Sequence, residues 1–342
     1  MATPERAADA AKELPERVKA SGPLSRLDQW QRKHPIVGAP IGIVYKFFDD
    51  QGGYLAVVIT HYAFLAILPL LLIASSVLGF VLQNYPELEQ RLLNSALAQF
   101  PIVGDQLGRP EGIKGSTTAV VVGILAATYG AIGLGQAAQN AVNVVWAIPR
   151  NSRLNPVLSR IRSLGWMVVG GLALAFVAVL TSVSSHLEVI ESGFNGVVHW
   201  LVVAATVVVT TCVLAVMIRW SKAESDRFRD VLPGAAVTAV LWQLLQMLGG
   251  LYVSRVINRA SEMNGVFAVV LGLVALIYVA SVMAILGLET NVVLGKRLYP
   301  RALLTPFTDD VELTEADRRV YREYAHAQRH KGFEQIRVTF KE

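Results

Sequence analysis

The sequence predicts an all-α, polytopic membrane protein with six transmembrane helices and both termini in the cytoplasm. Three observations carry that prediction. Hydrophobic residues make up 53% of the 342-residue chain and charged residues only 17%, against about 25% charge in a soluble globular chain. The apolar residues fall into six blocks, at 54–82, 117–147, 164–185, 197–218, 231–253 and 266–294. Each block reaches the roughly 20 residues a helix needs to cross the hydrocarbon core. Of the 57 Asp, Glu, Lys and Arg residues, these blocks hold one, Glu289.

Backbone groups in lipid must be satisfied within their own segment, so the blocks read as helices. Barrel strands would alternate in polarity over about ten residues, and these blocks do not. Lys and Arg fix the orientation. The N-terminal segment, the connections 148–163 and 219–230, and the tail from 295 hold 26 of the 31 basic residues. The connections 83–116, 186–196 and 254–265 hold the other five. This asymmetry explains the pI near 9.3 as topology rather than as nucleic-acid binding. The first 35 residues are polar and the first apolar block exceeds a signal h-region, so that block reads as an uncleaved anchor. The organisation is a polar cytoplasmic segment at 1–34, a membrane domain at 35–298 and a basic cytoplasmic tail at 299–342.

Three segments outside the core have readable character. Residues 86–100 place Leu88, Leu92, Leu93, Ala96, Leu97 and Phe100 on one helical face, fitting an interfacial helix or a lid packed on the bundle. Residues 35–53 are half apolar and too short to span; they read as an interfacial helix leading into the first span. Asp49 and Asp50 stand just before that span, either solvated or functional. In the tail, Thr314 with Asp317 forms a capping-box-like start to a basic helix over 314–331. That helix has few apolar positions and is expected to rest on the anionic leaflet or stay solvated.

Within the spans, small residues recur every four positions at Ala119, Gly123, Ala127, Ala131 and Gly135, a stripe suited to close helix packing. Gly130 and Gly133 nearby suggest local kinking. The same span then carries Gln136, Gln139, Asn140 and Asn143 at i, i+3, i+4, i+7. Unpaired amides in lipid cost several kcal/mol, so this stripe faces the bundle interior or a wet cavity. Interhelical hydrogen bonding and a solute-handling lining both fit. Glu289 is the one acid inside a span. A charge there is expensive and is by default a functional hypothesis, though pairing with Lys296 or Arg297 also fits. Asn291 follows it. His61 lies at similar depth in the first span, as a packing residue or a proton-responsive group. Gln243 and Gln246 lie deeper in the fifth span. Pro69 is expected to kink the first span, and Pro233 and Gly234 open the fifth.

His61, Gln139, Asn140 and Glu289 thus come from three spans and share the inner half of the membrane. They predict a cavity open to the cytoplasm. Walker, HExxH and GxSxG motifs are absent, as is a cysteine-pair metal site, and the single cysteine, Cys212, cannot make an internal disulfide. No enzyme activity, cofactor or metal is expected. The expected partners are membrane lipids and a small-molecule or lipid-like substrate; no nucleic acid is expected, and a homo-oligomer fits the reading.

The tract THYAFLAILPLLLIASSVLGF resembles the opening span of the YihY/BrkB family of bacterial inner-membrane proteins, with its tyrosine and mid-span proline. LPGAAVTAVLWQLLQMLGGLYVSRV resembles that family's Pro-Gly segment, and GLGQAAQNAVNVVWAIPR its second span with the following tryptophan. LIYVASVMAILGLETNVVL resembles its closing span, keeping Gly287, Glu289 and Asn291 but placing Leu288 where the family tends to have alanine. The likeness covers about 35–298 and looks nearest the YhjD-like branch; the termini resemble those of actinobacterial members. It implies six helices with both ends inside, and a transporter or exporter of a small solute or lipid-like molecule in the bacterial plasma (inner) membrane. The rival is a structural or assembly protein without transport. Members have carried the label ribonuclease BN, which these residues give no physical support.

Overall fold

The computed structural model describes residues 23–81, 117–166, 168–170, 172, 176, 195–221, 227–255, 262–308 and 311–340. Among them the regular structure is entirely helical. The helices are α1 (Pro23–Lys33), α2 (Pro35–Asp49), α3 (Gly52–Val81), α4 (Thr117–Val145), α5 (156–166), α6 (Asn195–Ser221), α7 (Phe228–Arg255), α8 (Glu262–Lys296) and α9 (Glu315–Ala327). Among the described residues three stretches are long and apolar enough to cross a membrane: Val203–Ser221, Phe228–Gly249 and Val270–Lys296. The 30 residues of α3 and the 29 of α4 reach about 45 Å at 1.5 Å per residue, more than the ~30 Å hydrocarbon thickness.

Five of the expected spans coincide with helices, but α6, α7 and α8 outlast their apolar blocks. A helix does not stop where hydrophobicity stops; α6 runs past Arg219, α7 begins before Arg229 and α8 continues through Lys296. The third span, 164–185, is described only in its first part, and residues 1–22 and 86–100 lie outside the described residues. Helix α3 continues through Pro69. Helix α4 likewise runs unbroken past Gly130 and Gly133.

The ends of α4 and α8 share one device. The Ile148 N–H donates to the Asn143 carbonyl at 2.9 Å, and the Leu298 N–H to the Val293 carbonyl at 2.9 Å. This six-to-one bond defines a Schellman end, which needs a left-handed residue before it. Ala147 (φ 53°) and Arg297 (φ 52°) supply it in place of the usual glycine.

The chain divides into two compact units. One comprises Phe47–Ile148 and Ser152–Asn291, the other Met1–Lys46, Pro149–Asn151 and Val292–Glu342. In the first, each helix meets the next. Helix α3 packs on α4, where an alanine Cβ at Gly130 would lie 2.8 Å from the Ala66 backbone nitrogen and one at Gly133 would enter the Tyr62 ring. Gly135 abuts Ser163 of α5, Gly165 of α5 abuts the Trp220 ring of α6, and α6 packs along α7. Gly234 of α7 abuts the Gly287 carbonyl of α8. Leu273, Leu276 and Ile277 of α8 then close the circuit, forming a core with Leu245 of α7 and with Ala63, Phe64 and Ile67 of α3. Of the expected small-residue stripe, Ala131 and Gly135 are buried. Gly130 and Gly133 serve close helix approach.

This unit is apolar on the outside as well. Leu125, Trp200, Leu201, Val208, Met247 and Leu271 are among its exposed side chains, each more than half exposed. Such a surface would be untenable in water and is natural against acyl chains.

The second unit is built on polar contacts. The Asp28 and Gln31 side chains of α1 reach the segment after α8: the Leu303 N–H donates to Asp28 Oδ1 at 3.2 Å, and Gln31 Nε2 donates to the Arg301 carbonyl. The Tyr45 hydroxyl of α2 donates to the Leu303 carbonyl at 2.7 Å. Arg301 is fully buried, paired with the equally buried Asp317 of α9, and lies about 6.0 Å from the ring centres of Tyr45 and Tyr321. The expected capping box forms, with Thr314 Oγ1 accepting from the Asp317 N–H at 3.1 Å. The helix it starts is not merely solvated. Ala316, Asp317, Val320 and Ala327 are buried, and Lys296 at the end of α8 pairs with Glu323 at 2.9 Å.

Candidate functional site

In α8 every residue from Gly287 to Asn291 is buried. A helix buried on all faces lies inside its bundle rather than at its edge. Glu289 sits in the middle of this stretch and is fully buried. Seven residues separate it from Lys296, about 10 Å along the helix. Lys296, one of the two cations considered as a partner for Glu289, donates to Glu323 at 2.9 Å.

Asn291 pins α8 to α7. Its Oδ1 accepts the Gly234 N–H at 2.6 Å, a buried bond between residues 57 apart in sequence. Two glycines make the crossing close enough for it. A Cβ on Gly234 would lie 1.9 Å from the Gly287 carbonyl oxygen, and one on Gly287 would lie 1.8 Å from Thr238 Oγ1. The Thr238 hydroxyl donates to the Gly234 carbonyl at 2.9 Å, which covers that acceptor at the crossing. Pro233 has no N–H to give, so the turn before Gly234 is already short of one ladder bond.

The amides of α4 separate by environment. Gln139 is buried and satisfied across the α4–α5 contact. Its Nε2 donates to the Ser159 carbonyl and to Ser163 Oγ, both at 3.0 Å, and its Oε1 accepts from Ser159 Oγ at 3.0 Å. Asn140 is exposed, while Gln136 and Asn143 are half-buried. On α7, Gln243 and Gln246 are half-buried. His61 is exposed on α3, its ring edge-on to Tyr62 at 5.3 Å. The preceding residue, Thr60, is buried; its hydroxyl donates to the Ala56 carbonyl at 2.7 Å and lies 3.4 Å from Ser281 Oγ of α8. Asp50 is buried and Asp49 exposed. Among the described residues no group of three or more His, Cys, Asp or Glu is placed to hold a metal ion.

The structure thus places Asn291 at the α7–α8 crossing, buries Glu289 within the same helix, and leaves His61 and Asn140 on exposed faces. Sequence reasoning did not find the buried cations Lys46 and Arg301 of the other unit. Lys46 is almost fully buried, 5.6 Å from the Tyr324 ring centre. The one signal in the sequence was Asp317, visible as a cap but also the counter-charge of Arg301.

Long apolar helices and an apolar exterior define an integral membrane protein. No curated protein and no solved structure matches the chain. Residues 43–309 match the family model of the virulence factor BrkB, more than three quarters of the chain. The protein belongs to this YihY/BrkB family.

Proposed function

We propose that this is a six-span protein of the bacterial plasma (inner) membrane, both termini cytoplasmic, that moves a small solute or lipid-like molecule across the bilayer. Within the family we place it in the YhjD-like branch. The observation that carries the reading is Glu289: a carboxylate kept fully buried inside a helix of a membrane bundle, where charge is costly and is retained for ion or substrate handling. Asn291 and the Gly234–Gly287 crossing hold its helix, and Gln136, Asn140, Asn143, Gln243, Gln246 and His61 line the route toward it. Glu289 or His61 couples movement to protons. We assign no enzymatic step, cofactor or nucleic-acid partner.

One observation favours a second reading, a structural or assembly protein with a dry bundle. Gln139 has its amide spent on α5, as a packing residue would. Single cysteines in a Cys212→Ser background separate the two. Positions Asn140, Gln243 and Glu289 are labelled with a membrane-impermeant maleimide from the cytoplasmic side, with Val208 and Met247 as exposed apolar controls. Labelling at Glu289 and Gln243 above the controls supports a wet path. Labelling at or below control level in folded protein refutes transport along this route.

A further inference from the structure

Directly after α9 the chain makes a turn over Arg329–Glu334 that is braced from both sides. Arg329 Nε donates to the Lys331 carbonyl at 3.1 Å and its Nη2 to the Gly332 carbonyl at 2.6 Å. Glu334 Oε2 accepts the His330 N–H at 2.7 Å and the Lys331 N–H at 3.2 Å. The Glu334 N–H closes the turn on the Lys331 carbonyl at 3.1 Å. What this bracing presents is Phe333, 89% exposed, the most exposed of the large apolar side chains described. An ordered turn holding a phenylalanine in water, flanked by the exposed His330 and Lys331, has no folding rationale of its own. From Arg329 to Lys341 the chain has four basic residues and one acid, Glu334, and that acid is occupied by backbone amides.

The turn is also tied to the segment that follows α4. The Asn151 N–H donates to the Arg329 carbonyl at 3.2 Å. Asn151 follows the end of α4, Val145, by six residues, at most about 20 Å of chain. A basic, aromatic-tipped turn of this kind matches the interfacial pattern of an apolar wedge with cationic flanks. We propose that Arg329–Glu334 is a lipid-binding finger: Phe333 enters the interface of an anionic leaflet while Lys331 and Arg337 contact lipid phosphates. This goes beyond transport and holds whichever reading of the bundle is right.

The test uses the full chain with Cys212→Ser and Phe333→Cys, labelled with an environment-sensitive NBD dye, in nanodiscs of phosphatidylcholine or of phosphatidylcholine with phosphatidylglycerol. The expected result is a blue-shifted emission and protection from iodide at position 333 in the anionic discs only, with the dye at the exposed Glu312→Cys control unchanged. Adding Lys331→Gln lowers the inserted-to-withdrawn ratio about fivefold, the weight of one basic residue near an anionic surface. Equal emission in both lipids, or a water-like emission in both as a finger for a protein partner would give, overturns the proposal. Retained elution volume on size exclusion shows that each variant is folded.

Discussion

Replacing Gly234 with alanine forces α7 and α8 apart. The new Cβ would stand 1.9 Å from the Gly287 carbonyl oxygen. That oxygen is backbone and cannot rotate away, so restoring an ordinary 3.4 Å contact requires the helices to separate by about 1.5 Å. The Asn291–Gly234 bond, 2.6 Å long, would then stretch beyond hydrogen-bond range and leave a buried donor and acceptor unmet. Overpacking costs about 1–3 kcal/mol and the unmet groups about 1–3 kcal/mol, against a helix-propensity gain of about 1 kcal/mol for losing a glycine. The net expectation is a loss of about 3 kcal/mol, roughly 150-fold in the unfolding equilibrium. The assay is reversible unfolding in mixed dodecylmaltoside–SDS micelles, followed by tryptophan fluorescence. Gly295→Ala is the control, because a Cβ there meets nothing within 4 Å; it is expected to be neutral or slightly stabilising. Asn291→Ala on top of Gly234→Ala is expected to cost less than half of what it costs alone, since its bond is already gone. If Gly234→Ala unfolds with Gly295→Ala, the close α7–α8 crossing is wrong.

Four further outcomes follow from the geometry. Ala147→Gly relieves a left-handed alanine (φ 53°) and is expected to stabilise by about 1 kcal/mol in the same micelle titration. Asp317→Ala strips the partner from buried Arg301 and an acceptor from the Ala302 and Thr314 N–H groups. It is expected to cost about 3–5 kcal/mol locally, read as faster tryptic cleavage after Arg301 and Arg318 with the membrane unit intact. Gln139→Ala is expected to lose about 1–3 kcal/mol by orphaning Ser159 Oγ, whereas Asn140→Ala at its exposed neighbour stays within about 0.5 kcal/mol; equal effects in unfolding would contradict the split between them. The N–H bonds from His330 and Lys331 hold the Glu334 carboxyl below its ordinary 4.5. A carboxylate with a depressed native pKa contributes order above its unfolded pKa and loses it as pH falls through the native one. Dye anisotropy at position 333 is therefore expected to be flat from pH 7 to 5 and to drop only below the usual carboxylate range; a drop near pH 6 would contradict this.

Much of the membrane unit could be read from the chain because lipid enforces one simple rule, an uninterrupted apolar run for each crossing. Helix α8 shows both the reach and the limit of that rule. Its apolar block, and Glu289 within it, are plain in the sequence. Its true end at Lys296 is not, because Arg297 takes the left-handed position that a reader would look for in a glycine. The amide stripe was visible as four residues at helical spacing, but its division was not. Which amide is satisfied depends on Ser159 and Ser163, one turn apart on another helix. The tail misled in a different way. Its helix buries Asp317 alongside Ala316, Val320 and Ala327, and counting apolar positions passes over a buried charge whose partner is Arg301.

The contacts that join Asp28 and Gln31 to Leu303 and Arg301 span 275 and 270 residues of sequence. During synthesis at about 5–20 residues per second, α1 emerges roughly 15–50 seconds before the segment it bonds to exists. Every apolar helix between them is made first. The unit that holds these contacts is therefore completed late, and Gln31 and Lys46, both buried in it, lack that cover until then. A chain cut near residue 300 would insert its helices and still display an N-terminal segment with nothing to close upon, a ready signal for quality-control proteolysis of incomplete copies.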